Sequence, residues 1–558
     1  MLRFLFVSLL LCCCFACGEK QPETAQDFLT VLQKENPNYI ADEFKNKIQS
    51  VSFLMKISGK DPEGIRAETS EIYTARKGSP LWQDLDAGTA SEQLPELIQS
   101  LYDAPQHGFQ AGFYNTSTID TLYRQIYQQK KWKGKEELAN KIELDMLATG
   151  AIVSFLSDLS AGRTATKWDI ESSQHPIDQL VLAKHQNVAE LIQVAAPPFK
   201  AYKSLQERIQ SYEAISKEGG FPEVKNSGLS KGKSGDNVKK LAQRLKLSGD
   251  LPSDLKGANN GFDEKLEAAL KKFQKRHAIA ETGKVNQQTL TALNRPLEDV
   301  IDQMYLNLER YRWLPDSMGD KYIWVNIPEF QIEVREKDET VMEMRGVVGE
   351  NITPTPVFSE EMTHLVFSPA WNIPWSIIKE EIYNFSNHND FPSLLIVSNV
   401  EVFLDGKKLD PFSIDWKNIT NDKKKMRKYR FRQKPGTDNS LGLVKFIFRN
   451  KYAVYLHDTP KRKYFKVDQR ALSSGCIRVQ KPVELSHYLL KDKGDWSIDR
   501  IKSNMGRSSE LRVNLTEKIP VYLYYLTSWV DEEGQLQFRK DIYRHDKKQM
   551  ERVKALRS

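Results

Sequence analysis

Tyr322-Ile323-Trp324-Val325-Asn326-Ile327, then Phe330-Gln331-Ile332-Glu333-Val334, then Met342 to Val348: from residue 322 onward the apolar side chains recur at every second position. Period two marks a strand with one buried face. Further runs follow at Lys445-Phe446-Ile447-Phe448, Ala453-Val454-Tyr455-Leu456 and Val521-Tyr522-Leu523-Tyr524. Many short strands separated by turn residues predict a mostly-β domain over 321–545, sandwich-like or barrel-like. The alternation breaks over 373–440, where Ile377 to Phe385 reads as helix and the remainder is mixed and polar. That stretch is expected to be an inserted subdomain beside the site, a lid.

Toward the N-terminus the period changes to that of helices. Residues 26–225 read as a helical scaffold: Ile142-Glu143-Leu144-Asp145-Met146-Leu147 through Phe155-Leu156 carries apolar residues at helical spacing, and Gly162 closes the run. Polar breaks at Glu218-Gly219-Gly220 and from Ser227 to Gly235 precede a small module over 226–296. In it Val238, Leu241 and Leu245 share one helix face. Gly261-Phe262-Asp263 opens a second helix with Leu266, Ala269, Leu270, Phe273 and Gln274, and the module ends on Thr282-Gly283-Lys284-Val285, Thr289-Leu290 and Leu293-Asn294. Residues 297–320 are expected as a helical linker and 546–558 as a charged tail. The fold class is therefore multi-domain α+β, and 558 residues exceed what one core accommodates.

The composition, 40% hydrophobic and 28% charged, is that of an ordinary soluble body. Met1-Leu2-Arg3 followed by an apolar run from Phe4 to Phe15 reads as an export signal over 1–17, too short to anchor as a span. Cys14-Phe15-Ala16-Cys17 resembles a relaxed bacterial lipobox, which makes Cys17 the lipidation site and 18–25 a tether. The expected location is the cell envelope: periplasmic, held to a membrane only through that N-terminal lipid. The net charge of +7 is modest. The densest basic run, Lys423 to Lys434, interleaves Tyr429 and Phe431 and reads as a strand with a basic outer face. With an export signal in front of it, nucleic acid is not expected as a partner.

Five cysteines occur, and Cys12, Cys13, Cys14 and Cys17 lie in the leader, which leaves Cys476. It stands in Ser473-Ser474-Gly475-Cys476-Ile477-Arg478-Val479, downstream of Tyr455-Leu456-His457-Asp458-Thr459-Pro460. A lone thiol in an exported chain is a candidate reactive group. The thiolate is the nucleophile, so the thiol needs a lowered pKa or a base within reach. Cys476 is thus the candidate nucleophile and His457 its base. Gly475 permits a tight approach, and its N–H with that of Cys476 is a candidate oxyanion hole. Arg478 adds positive potential or holds a substrate carboxylate. His107, His175 and His185 share no metal-ligand spacing, and no His-x-x-x-His cluster occurs, so no metal and no cofactor are expected.

The His457-Asp458-Thr459-Pro460 and Ser473–Val479 segments together resemble the YkuD-type L,D-transpeptidase motif. So do Thr355-Pro356-Val357-Phe358, Trp371-Asn372-Ile373-Pro374 and Gln433-x-Pro435-Gly436-x-x-Asn439-x-Leu441-Gly442-x-x-Lys445-Phe446. The module at 229–295 resembles the peptidoglycan-binding type 1 domain. The combination is similar to large multi-domain members of Gram-negative envelopes, although Ser474 stands where many smaller members carry histidine. The resemblance implies that Cys476 attacks the carbonyl between the third and fourth residues of a donor stem tetrapeptide. D-Ala leaves, and an amine of a second stem resolves the thioester into a 3→3 cross-link. His457 serves as base and then acid, oriented by a backbone carbonyl near Asp458 or by the Asp458 side chain. Ser474, Tyr455, Trp371, Asn372 and Arg478 are the candidate substrate contacts, with bland alternatives as core or ion-pair residues. Implied partners are peptidoglycan stem peptides and glycan, with wall synthases and the D,D-carboxypeptidases that supply tetrapeptides. The rival readings are an L,D-carboxypeptidase on the same acyl-enzyme and a non-enzymatic, lipid-anchored wall-binding protein.

Overall fold

In a computed structural model the hairpin expected at 322–334 is β1 (Lys321–Asn326) against β2 (Gln331–Glu336), antiparallel, with Ile323, Val325, Ile332 and Val334 fully buried. The described residues are 24–50, 53, 61–164, 168, 187–225, 227–252, 261–337, 339–378, 390–420 and 422–557. Cys17, most of the tether, His175, His185 and most of the helix expected at Ile377–Phe385 lie outside them.

From that hairpin the sheet continues through β3 (Glu339–Gly349), β4 (Phe358–Phe367), β9 (Val444–Phe448), β10 (Leu456–His457), β11 (Ala471–Ser473), β12 (Ile477–Val479) and β13 (Leu511–Tyr524). Among the described residues the order is β11-β3-β12-β10-β9-β4-β13-β1-β2, and β2 also pairs β3. The sheet therefore closes on itself with β11 as an outer strand. Of the sandwich-like and barrel-like alternatives, the barrel-like one is realised, and closure pairs the β2 edge that an open sheet would expose. The β10–β12 pairing is parallel, with His457 in register with Arg478.

The helix α6 (Leu297–Tyr311) corrects an expectation. Glu298 and Asp299 in its first turn and Arg310 in its last match the helix dipole. Every residue from Val300 to Tyr311 is buried. It is a core element of the β domain, with Ile301, Met304 and Leu308 joining the cluster of Ile323, Leu365 and Phe446, and not a linker. The charged tail is corrected likewise: α8 (His545–Arg557) packs on α6, with Val553 buried. Its Asp546 accepts from the fully buried Arg310 guanidinium at 2.7 Å and from Thr527 Oγ1 at 2.7 Å. Lys554 pairs with Asp302 at 3.2 Å, so the basic run of the segment answers the acidic face of α6.

The helical region is built on α1 (Gly134–Ala161), whose Leu144, Ile152, Phe155 and Leu156 are fully buried. Its buried Asp145 accepts from Tyr73 Oη at 2.6 Å and from the Leu81 and Trp82 N–H groups at 2.9 Å, tying the Pro80-Leu81-Trp82 loop to the helix. The helix α2 (Lys200–Lys217) turns instead to the β-domain core, through Tyr202, Leu205, Ile209 and Tyr212. The stretch 26–225 thus serves two cores.

The three-helix module comprises α3 (Asp236–Leu247), α4 (Glu264–Arg276) and α5 (Gln287–Leu293) around Leu241, Leu245, Leu270 and Phe273. It is seated on the hairpin of β14 (Ser528–Val530) and β15 (Leu536–Phe538). Buried Arg276 pairs with Asp250 at 2.6 Å and reaches the Leu536 carbonyl at 3.4 Å, Arg539 donates back to the Arg276 carbonyl at 3.2 Å, and His277 stacks on Phe538 with ring centroids 5.0 Å apart.

The insertion forms its own sheet in the order β5-β8-β6-β7, from Trp371–Ile373, Tyr429–Gln433, Val400–Leu404 and Lys407–Leu409, with α7 (Phe391–Val397) packed on it. Its separate core holds Ile378, Phe391, Leu395, Val402, Trp416 and Phe431. The basic run is helical over Lys423–Met426 and becomes strand at β8, where Phe431 is buried and Arg430 and Arg432 are exposed. Among the described residues no helix is long and apolar enough to cross a membrane.

Candidate active site

Strand pairing brings the candidate base and nucleophile together. β10 ends at His457 and β12 begins at Ile477, and their parallel register sets His457 beside Arg478 and Leu456 beside Ile477, directly after Cys476. Cys476 sits at the end of the Ser473–Gly475 turn and is partly exposed. Gly475 has φ +110°, a conformation open to glycine and strained for other residues. Ser473 Oγ donates to the Cys476 carbonyl at 2.6 Å, and Thr355 Oγ1 donates to the Gly475 carbonyl at 2.8 Å. The quoted Thr355 motif is thus a brace for the nucleophile turn, itself held by Tyr543 Oη. Ser474 is exposed on the turn. The Gly475 N–H donates to Ser473 Oγ at 3.3 Å, a long bond.

The sulfur lies in a polar nest. Cys476 Sγ donates to the Ala453 carbonyl at 3.8 Å and lies by Tyr455, whose N–H and hydroxyl favour the thiolate. Trp371 donates to the Tyr455 oxygen in turn, so Trp371, Tyr455 and Cys476 form a chain. Ala453 has φ +54°, and Asn450 pins that loop: its Nδ2 donates to the Phe448 and Val454 carbonyls, and its Oδ1 accepts from the Tyr452 and Val454 N–H groups. Burial pushes the Cys476 thiol up to about 11, against the Tyr455 bonds and the positive field of Arg478, which favour the thiolate.

His457 is buried and its ring packs edge-on to Tyr455, centroids 5.8 Å apart. Nδ1 meets the Asp458 carbonyl at 2.5 Å. A carbonyl has no proton to give, so Nδ1 carries the hydrogen and Nε2 is left with a lone pair. Burial, with Arg478, lowers the imidazole to about 3 despite the carbonyls of Asp458 and Leu441, which favour its charged form. The free site therefore holds a neutral imidazole and a neutral thiol. The Asp458 side chain turns to the Leu443 N–H at 2.9 Å and to Arg462 at 3.3 Å; of the two expected orienters the backbone carbonyl makes the bond to the ring.

The Gln433–Gly442 motif is a frame around this histidine. Asn439 Nδ2 donates to the Pro369 carbonyl at 3.0 Å and its Oδ1 accepts from the Leu441 N–H at 2.8 Å, while Gln433 Oε1 accepts from the Ser440 N–H at 2.9 Å. Lys445 lies in register with His457 and pairs with Glu510 at 3.7 Å. Asn372 is exposed on β5 opposite Arg432. Arg478 lies over the Tyr464 ring at 5.6 Å. Ala453, Asn450 and the braces Thr355 and Tyr543 were not among the expected site residues. An Asn-Lys-Tyr turn was the single sequence signal at 450–452.

Residues 320–502, which contain both His457 and Cys476, match the YkuD family, described as the L,D-transpeptidase catalytic domain. The chain carries a YkuD L,D-transpeptidase catalytic domain. Ahead of the YkuD domain, residues 67–209 match a family described as "Scaffold domain" and residues 234–293 one described as "Putative peptidoglycan binding domain". The chain is 34% identical over 250 residues to a Haemophilus influenzae protein named "Putative L,D-transpeptidase". That likeness covers 45% of this chain and 49% of the relative, about half its length. An L,D-transpeptidase structure from Mycobacterium smegmatis is 14% identical, covering 37% of this chain and 58% of that one, at a TM-score of 0.18. One from Xylanimonas cellulosilytica is 15% identical, covering 54% and 98%, at 0.17. At such scores neither structure bears on the geometry of the YkuD domain described above.

Proposed function

We propose that this protein is a cysteine-dependent L,D-transpeptidase of the cell envelope that forms 3→3 peptidoglycan cross-links. The observation that carries the reading is the β10–β12 register, which brings the Nε2-free imidazole of His457 and the thiol of Cys476 to neighbouring strand ends within the YkuD domain.

The donor carbonyl between stem residues three and four enters the nest at Cys476. His457 Nε2 takes the thiol proton as sulfur attacks, and Arg478 favours the resulting thiolate. The N–H of Cys476, with that of Gly475 once it leaves Ser473 Oγ, receives the oxyanion. The imidazolium returns the proton to the departing amine, and D-Ala leaves a thioester on Sγ. An acceptor stem amine then attacks, losing its proton to His457 as the C–S bond breaks, and sulfur recovers that proton as a thiol. Tyr455, Trp371, Asn372 and Ser474 border the path of the donor. Cys17 holds the molecule to a membrane by its lipid, the 226–296 module holds it to glycan, and wall synthases and D,D-carboxypeptidases supply its substrate.

The purified protein is incubated with disaccharide tetrapeptides and the products read by mass spectrometry. Free D-Ala and 3→3 dimers are expected, and Cys476→Ala makes neither. Dimers made by the variant would refute the mechanism, and tripeptide without dimer would make the enzyme a carboxypeptidase.

A further inference from the structure

The acceptor that orients His457 is a backbone carbonyl, so its position depends on whatever holds residue 458 in place. Three groups do so. The Asp458 N–H donates to the Val444 carbonyl at 2.9 Å, fixing it to β9. Asp458 Oδ2 accepts from the Leu443 N–H at 2.9 Å, fixing it to the 439–443 turn. Asp458 Oδ1 accepts from Arg462 Nη1 at 3.3 Å, and the same guanidinium donates to the Val479 carbonyl at 3.3 Å and to that of Gln480. Val479 ends β12, the strand that follows Cys476. Arg462 therefore ties the end of the histidine strand to the end of the cysteine strand. The fit is close: Gly442 has φ +63°, and a Cβ there would stand 2.5 Å from Asp458 Cγ. A cleft of about 410 Å³, lined by Thr437, Gly442, Asp458, Arg462, Gln480 and Glu484, adjoins the clamp.

We infer that the side chains of Asp458 and Arg462 are positioning residues, a clamp that holds the Asp458 carbonyl against Nδ1 of His457 and so fixes the imidazole in the Nδ1–H tautomer, which leaves Nε2 as the basic nitrogen. The inference rests on His457 being the base. Removing the clamp leaves the carbonyl present but free to tilt, and a tilted acceptor releases the ring to its other tautomer, the fault that cripples a histidine base whose orienting partner is altered.

The test uses the full chain with Asp458→Ala, Asp458→Asn, Arg462→Ala and His457→Ala. Acylation of Cys476 by a carbapenem is followed by intact mass, and the His457 ring nitrogens are read by ¹⁵N NMR. Asp458→Ala and Arg462→Ala are expected to slow acylation at saturation by about tenfold or more while the half-saturating concentration stays within about twofold. The Nδ1–H signature should weaken in both, and Asp458→Asn, which keeps one acceptor oxygen, should lose less. His457→Ala silent with the clamp variants at the wild-type rate would overturn the clamp and leave the base reading intact. Slowed acylation with an unchanged Nδ1–H signature would likewise overturn it, because a merely structural role predicts that outcome. Full acylation by His457→Ala would remove the base reading itself. Should Asp458→Ala fail to fold, Asp458→Asn and Arg462→Ala decide the matter.

Discussion

At Cys476 burial and hydrogen bonding pull against each other, and burial wins. The thiol is pushed up to about 11, so the thiolate is scarce at neutral pH. The sign gives a pH test. Below about 11 each unit of pH rise multiplies the thiolate, so alkylation by iodoacetamide should climb through pH 8 to 10 with no plateau. Tyr455→Phe deletes one bond that favours the thiolate and should slow alkylation by a further factor of about 2–10, the equivalent of one hydrogen bond. A rate that levels off near pH 8, or a phenylalanine variant as fast as the parent, would contradict this account. Cys476 and His457 were legible in the sequence because rare reactive side chains announce themselves. The Ala453 carbonyl that accepts from sulfur and the Asp458 carbonyl under the imidazole were not, because every residue carries the same backbone atoms and only φ and pairing decide where they point.

Among the elements the insertion has the most to say about specificity. It owns a core, and its β5 delivers Trp371 to the Tyr455 hydroxyl, so it touches the site at one corner. Water stands at tens of molar around any open thioester while acceptor amines are scarce. A cover that excludes water favours the amine. Shortening the stretch between Trp371 and Gln433 should therefore raise the ratio of tripeptide to 3→3 dimer without abolishing acylation of Cys476. An unaltered ratio in chromatographed muropeptides would show that the insertion does not choose the acceptor. The strands of the β domain were legible from period two, yet α6 read as a linker and α8 as a tail. Periodicity reports which residues are apolar, not what packs on the rest. In α6 even Asp302, Gln303, Asn307 and Glu309 are buried, satisfied by partners far along the chain, and the charges of α8 find Asp302 and Arg310.

Across the whole molecule α6 is the shared member: it packs on α2 and α8 and contributes to the barrel core. Its Arg310 is wholly buried and donates to Asp546 and Gln549. Removing one partner of a buried pair strands the other in low dielectric, so Arg310→Ala should cost about 3–5 kcal/mol in urea unfolding of the β domain. A loss under about 1 kcal/mol would show that the pair is solvent-relaxed. The three-helix module is no loose appendage either. Arg276 and His277 lock it to the β14–β15 hairpin, and burial holds His277 neutral in that stack. The module and the thiol then stand like the two points of a pair of dividers with a tightened hinge. On the function proposed above, such a molecule does not graze at random along the wall polymer; it pricks at one fixed stride from the place its module holds.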